Sequence, residues 1–391
     1  MKITYIYTAL VTRGGADRVI TNKANWLAEH GYDVMIVTDT QLGREPIYPL
    51  SNKVVLYDLA IDFSLEYGHS LPVRAWWYFK LMRQYRKKLT EVLMKRQSDV
   101  VITTLGRDLD FLTKIKDGSV KIGESHIARQ FSRNFHLMEQ KGGLHKMIAQ
   151  RWRKKQEKDV SKLDTLVLLT REDANSWKGV TNTFVIPNPT PFYPEESSTC
   201  ESHKAICVGR LNEQKGYEYL IDAWTIVSKR HPDWILNAYG SGEIKEQLQM
   251  RIDEKGVSNS LILNEPTSDI IDKYLESSIY IMSSRFEGFP MVLLEAMSCG
   301  LPCVSFDCPN GAKDIIEDGR NGFLVGYLNV EQLADNICKL IENESLRKEM
   351  SNHAREDVKH YLPTEIMKLW ERLFSDIIEF KRTENESRDA S

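Results

Sequence analysis

Short apolar runs alternate along the chain with longer stretches in which apolar residues recur at helical spacing. In residues 1–188 the strand-like runs are KITYIYT, DVMIVTD, KVVLYDL, DVVITTL, VKIGESH, TLVLLT and TFVIPN, and residues 71–97 and 143–162 form the longest helical stretches. Residues 201–362 repeat the design with HKAICVG, WILNAYG, SLILNE, IYIMSS, PCVSFD and GFLVG. Strands separated by helices need crossover connections, so the pattern predicts parallel sheets in an α/β fold. Between the two halves, Pro189, Pro191 and Pro194 interrupt regular structure, which predicts a linker over 189–200. Residues 363–382 carry Ile366, Leu369, Trp370, Leu373, Phe374 and Ile377 at helical spacing and predict a last helix. The polar stretch 383–391 is expected to be a disordered tail.

Length agrees with two domains, because 391 residues exceed the roughly 250–300 at which one core stops growing. A content of 42% hydrophobic and 27% charged residues describes an ordinary globular protein. The apolar runs fall short of the roughly 20 residues a membrane helix needs, and the N-terminus lacks the basic start and cleavage site of an export signal. A cytoplasmic location is therefore expected. The six cysteines show neither C-x-x-C pairs nor neighbouring histidines at zinc spacing, so neither disulfide nor metal is expected.

Charge divides unevenly. Residues 1–190 hold 30 Lys and Arg against 20 Asp and Glu, while residues 191–391 hold 22 against 35. A basic first half fits an anionic surface. Its cations gather in 75–97, beside Trp76, Trp77, Tyr78 and Phe79, and in 145–158. Contact with the inner face of a membrane is one reading, and a solvated cationic face with aromatics turned into the core is the other. No motif points to nucleic acid.

The most telling chemistry lies in FEGFPMVLLEAMSCGLP, residues 286–302, where Glu287 and Glu295 bracket a strand-turn-helix junction. A helix start leaves unpaired backbone donors and a positive dipole end, so the backbone of Gly288, Phe289 and Pro290 is placed to meet an anion, with Pro290 suited to the first helical position. Glu295 falls in an apolar run and needs a partner if buried. A helix cap at Glu287 and a buried Arg or Lys partner for Glu295 would account for the two acids equally well.

Other candidates sit at strand ends. Arg210 and Lys215 follow AICVG, flanked by Gly209 and Gly216, and two cations at that edge suit a diphosphate, although a solvated loop would look the same. Gly14 and Gly15 follow the first strand and precede a helix, where a phosphate could approach; a plain strand-helix turn also uses glycine. His126 ends VKIGESH, Arg107 and Asp108 follow DVVITTLG, and Pro266 and Thr267 follow SLILNE. A lone histidine there is more often structural, and Pro and Thr serve a turn anyway.

The block SSRFEGFPMVLLEAMSCGLPCVSFDCPNGAKDIIEDGRNGFLV, residues 283–325, together with VGRLNEQKG at 208–216 and the Gly14-Gly15 turn, resembles the retaining glycosyltransferases of family 4, the E-x7-E group. PNGAKDII at 309–316 is closest to bacterial members building polysaccharide or lipid-linked oligosaccharide, including amylovoran-type and N-acetylgalactosamine transferases. The resemblance implies the GT-B fold: two Rossmann-like domains facing a cleft, with the last helix crossing back to the first domain. It assigns catalysis to Glu287, Arg210, Lys215 and His126. Donor contacts fall to Gly14, Gly15, Gly209, Pro266, Thr267, Gly288, Phe289, Pro290, Met291 and Glu295, and the acceptor to Arg107 and Asp108. It implies a nucleotide-sugar donor, with uridine as the expected base, a glycan or polyprenyl-diphosphate-linked saccharide acceptor, and neither cofactor nor metal; the D-x-D-like RDLD at 107–110 lies in the acceptor half. The rival readings are a sugar-nucleotide epimerase of the same fold, a non-catalytic nucleotide-binding protein, and an NAD-dependent oxidoreductase using Gly15 and Asp39.

Overall fold

The computed structural model describes residues 1–389, and each apolar run named above contains a strand. The chain forms two compact units, the first being residues 1–186 with the last helix from Met367 onward, the second Pro187–Ile366.

Unit 1 holds a parallel sheet of β1 (Lys2–Tyr7), β2 (Asp33–Thr38), β3 (Val55–Asp58), β4 (Val100–Thr103), β5 (Val120–Glu124), β6 (Thr165–Leu168) and β7 (Thr183–Val185), in the order β3-β2-β1-β4-β5-β6-β7. Unit 2 holds β8 (Lys204–Val208), β9 (Ile235–Tyr239), β10 (Leu261–Asn264), β11 (Ile279–Met282), β12 (Cys303–Phe306) and β13 (Gly322–Val325), in the order β10-β9-β8-β11-β12-β13, again parallel. The inner strands β4, β6, β11 and β12 are buried at every position, as strands covered on both faces must be. Both orders reverse once, between β1 and β4 and between β8 and β11. In open α/β sheets ligands bind outside the carboxyl ends of the strands at such a reversal.

The helix Leu71–Arg96 packs on the sheet of unit 1 through Leu81, Tyr85, Leu89 and Leu93, every fourth residue, against Ile6, Val37, Val101 and Phe111. Each such side chain contributes about 1.5–3 kcal/mol by leaving water. The second long helix runs Gly143–Val160.

Three expectations need correction. Residues 189–200 lie within unit 2 and are packed. Thr190 N–H donates to Tyr361 O at 2.7 Å and Ser198 N–H to Cys299 O at 2.8 Å, and the Arg355 guanidinium donates to the carbonyls of Pro194, Glu195 and Glu196. The prolines do rule out a strand or helix, but a side chain from far along the chain satisfies the carbonyls they leave. The last helix runs Pro363–Asp389, so 383–389 continue it instead of forming a loose tail, and the rest of that tail lies outside the described residues. Finally, Trp76 and Phe79 are exposed instead of being turned into the core, while Trp77 packs against it.

Candidate active site

In unit 2 the loops after β8 and β11 flank the reversal and are stitched together. Arg285 N–H donates to Gln214 O at 2.8 Å, Ser283 Oγ to Lys215 O at 2.9 Å, and Gln214 Nε2 to Phe286 O at 3.0 Å. Across this seam Lys215 Nζ lies 2.7 Å from Glu287 Oε1, and Ser284 Oγ donates to the same oxygen at 2.6 Å. The Glu287 side chain is 7% exposed and that of Lys215 19%, so the pair is largely shielded from water and held in one geometry. Arg210 is exposed and forms no ion pair among the described residues.

Glycines explain why these loops can meet. A Cβ on Gly240 would stand 1.9 Å from Gly209 O, one on Gly242 2.1 Å from Leu211 O, and one on Gly216, where φ is +60°, 2.3 Å from Ser283 O. Backbone therefore touches backbone, which leaves no room for any other residue. Gly209 N–H donates to Tyr239 O at 3.0 Å and Leu211 N–H to Ser241 O at 2.9 Å, so the turn of Tyr239 to Glu243 braces the Arg210 loop.

The helix carrying Glu295 runs Met291–Ser298. Pro290 occupies its N-cap, one place before the expected first helical position, and a proline has no N–H to offer. Donors at this turn are thus Gly288 and Phe289, whose amides find no acceptor among the described residues, while Met291 N–H turns back to Phe289 O at 2.9 Å. Behind the turn, Glu287 N–H donates to Pro309 O at 3.1 Å. Glu295 is buried, and Tyr274 donates its hydroxyl to Oε2 at 3.0 Å. After β10, Pro266 is exposed and Thr267 Oγ1 accepts from Asp269 N–H at 3.1 Å, a local turn bond, while Glu265 pairs with Lys245.

In unit 1 the reversal is flanked by the loops after β1 and β4. Gly14 caps the helix Gly15–Glu29 in an extended conformation, φ −78°, and the amides of Gly15 and Ala16 find no acceptor among the described residues. Asp17 fixes this loop by accepting from Tyr7 Oη at 2.7 Å and from Thr12 N–H at 2.8 Å. After β4, the Arg107 guanidinium lies 4.1 Å from the Phe63 ring centroid and Asp108 is buried. At the end of β2, burial pushes the Asp39 carboxyl up to about 6, against the opposing pull of the Thr40 hydroxyl and Arg107.

His126 stands beyond the end of β5, which stops at Glu124. Its ring is buried, with Nε2 3.4 Å from Glu124 Oε1, and neither ring nitrogen makes a hydrogen bond among the described residues. Burial depresses its pKa, and Glu124 opposes and Lys23 reinforces that shift, which favours the neutral ring. Lys23 Nζ sits 2.6 Å from Glu124 Oε1, both side chains 1% exposed, and 3.6 Å from the Trp370 ring centroid. Nothing local in the sequence marks Lys23 or the support Ser284 gives Glu287, and Asp39 enters only under the oxidoreductase reading. The six cysteines are buried free thiols, and burial pushes Cys207 and Cys299 up to about 12, which makes them poor nucleophiles at neutral pH.

Known proteins share this architecture. Residues 194–357 match the family described as glycosyl transferases group 1. An uncharacterized glycosyltransferase of Haemophilus influenzae is 31% identical over 375 residues, spanning 94% of this chain and 98% of its own. The amylovoran biosynthesis glycosyltransferase AmsD of Erwinia amylovora is 28% identical, spanning 94% and 98%. A mutant of Staphylococcus aureus TarM, solved with fondaparinux, alpha-GlcNAc-glycerol and UDP, superposes with a TM-score of 0.74 over 95% of this chain and 99% of that one at 17% identity, which identifies the two-unit GT-B fold. Full-length similarity and fold agree, and the chain belongs to the group 1 glycosyl transferases.

Proposed function

We propose that this glycosyltransferase is a retaining, metal-independent hexosyltransferase that moves a sugar from a uridine-diphosphate sugar to a hydroxyl of a glycan or polyprenyl-diphosphate-linked saccharide in bacterial surface-polysaccharide synthesis. It works in the cytoplasm, peripheral to the inner face of the membrane. The observation that carries the reading is the Lys215–Glu287 seam at the sheet reversal, with Arg210 exposed on the same loop as Lys215 and the amides of Gly288 and Phe289 without acceptors among the described residues. The UDP held by TarM supports the donor, and the amylovoran role of AmsD supports the pathway class.

In this reading Arg210 and Lys215 face the diphosphate, with Gly209, Gly14 and Gly15 giving it close backbone approach. Glu287 and the turn from Gly288 to Met291 hold the transferred sugar. Glu295 takes the ribose hydroxyls, Pro266 and Thr267 border the base, and His126, Arg107 and Asp108 serve the sugar and acceptor side. The bond from the sugar's anomeric carbon to the diphosphate breaks. The acceptor oxygen bonds to that carbon on the face the diphosphate leaves, and the acceptor proton passes to a departing phosphate oxygen. Fixed cations stabilise the charge that develops there, and no cofactor or metal takes part in the scheme.

Thermal shift against uridine, guanosine and adenosine diphosphates and NAD identifies the base, and NMR of the product identifies the anomer. Stabilisation by UDP and a product keeping the donor's configuration are expected. An inverted product, stabilisation by NAD alone, or no response to any nucleotide refutes the proposal. Turnover of the sugar nucleotide to its epimer without acceptor indicates the epimerase reading, and nucleotide binding without any turnover indicates the non-catalytic one.

A further inference from the structure

The helix Leu71–Arg96 is longer than the sheet it covers. Its 26 residues extend about 39 Å at 1.5 Å per residue, against about 13 Å for the four residues of β4. Its buried positions, Leu81 to Leu93, occupy only the later part, and every residue from Leu71 to Lys80 is exposed or half-buried. The helix ends near the amino edge of the sheet, where Arg96 pairs with Asp33 at the start of β2. Its unburied front therefore projects past the carboxyl edge, the edge that carries Gly15, Arg107 and His126.

That front is apolar and cationic at once. Leu71 is 80% exposed, Trp76 56% and Phe79 72%. Arg74 and Lys80 stand among them, and Lys80 Nζ lies 4.9 Å and 4.7 Å from the Trp76 and Trp77 ring centroids. The helix Gly143–Val160, which ends just ahead of β6, repeats the arrangement: residues 143–147 are all exposed, Leu144 68% and Met147 67%, next to Lys141, His145 and Lys146. Single exposed apolar residues are ordinary. Two helix fronts at one edge, each mixing large apolar side chains with cations, mark an interaction surface.

We propose that these two fronts seat unit 1 on an anionic phospholipid bilayer, with the carboxyl edge of its sheet toward the lipid. Leu71, Trp76, Phe79, Leu144 and Met147 enter the headgroup and upper acyl region, while Arg74, Lys80 and Lys146 meet lipid phosphates. Charge complementarity selects the partner, since this half of the chain carries its excess of cations. The proposal deepens the lipid-linked acceptor reading by naming the surface that presents such an acceptor, but its test needs neither donor nor acceptor.

The full chain is sedimented with vesicles of phosphatidylcholine alone or mixed equally with phosphatidylglycerol. Wild type is expected to pellet with the mixed vesicles only, and to be released by high salt. The variant Leu71→Ser/Trp76→Ser/Phe79→Ser is expected to partition ~tenfold or more weakly, and Arg74→Gln/Lys80→Gln to lose the salt-sensitive part, both with unchanged Tm. Wild type left in the supernatant, equal binding to uncharged vesicles, or either variant pelleting like wild type overturns the proposal. Should the triple serine variant fold poorly, the charge variant alone decides.

Discussion

Replacing Lys215 with Met and Glu287 with Gln, singly and together, separates a donor site from a purely structural ion pair. The two single changes are unequal. Lys215→Met leaves a carboxylate that is 7% exposed with Ser284 as the remaining donor to Oε1. Breaking a fully buried pair costs about 3–5 kcal/mol; because the Lys215 side chain is 19% exposed, solvent screening lowers the expectation to about 1–3 kcal/mol. Glu287→Gln keeps an oxygen that accepts from both Ser284 and Lys215, so its cost is about 1 kcal/mol. The double variant removes both charges and regains most of the loss, giving a coupling of about 1–2 kcal/mol. Transfer follows a different rule. Loss of a positive group at the leaving phosphate lowers the rate by about 10²–10³-fold, and removing its counterion does not restore it. Urea unfolding measures the stabilities, and release of UDP from the donor, well below each Tm, measures transfer. A folded double variant that transfers within a few-fold of wild type refutes the reasoning, because the pair would then serve stability alone.

Three further outcomes are expected. Asp39 has its folded pKa raised from 3.8 to about 6, so the stability tied to its protonation is fully present below 3.8 and lost as pH rises through 6; Asp39→Asn should stabilise by up to ~3 kcal/mol at pH 8 and hardly at all at pH 4, and identical urea midpoints at pH 8 contradict this. Gly216→Ala places a methyl 2.3 Å from Ser283 O at a positive φ; it should cost about 1–3 kcal/mol and remove the UDP-induced thermal shift, and a retained shift shows that the loop contact is dispensable. Lys23→Met strands buried Glu124 and should cost about 3–5 kcal/mol, most of it recovered by adding Glu124→Gln; an equally unstable double variant in urea rules out the charge explanation.

The strands are legible in the sequence because a parallel strand covered on both faces is a short apolar run, as in VVIT at 100–103 or IYIM at 279–282. Strand order is less accessible, and with it the meeting of Lys215 and Glu287, which are 72 positions apart and adjacent only because β8 pairs with β11. Lys23 shows the limit plainly. A lysine within a helix reads as a solvent-facing residue, and its burial depends on Glu124 and Trp370, which lie far along the chain. The prolines at 189, 191 and 194 correctly signal irregular backbone, but nothing local announces that Arg355 will hold it down. At Pro290 the composition is right and the position off by one, the usual scale of error at a helix end.

Unit 1 is written in two pieces, with all of unit 2 between them. A ribosome therefore delivers residues 187–366 before it delivers Trp370, whose ring covers Lys23 of the first piece. Since domains fold as units, a premature stop after Ile366 leaves the whole of unit 2 and takes the last helix from unit 1, so it is a lesion of the earlier-encoded unit.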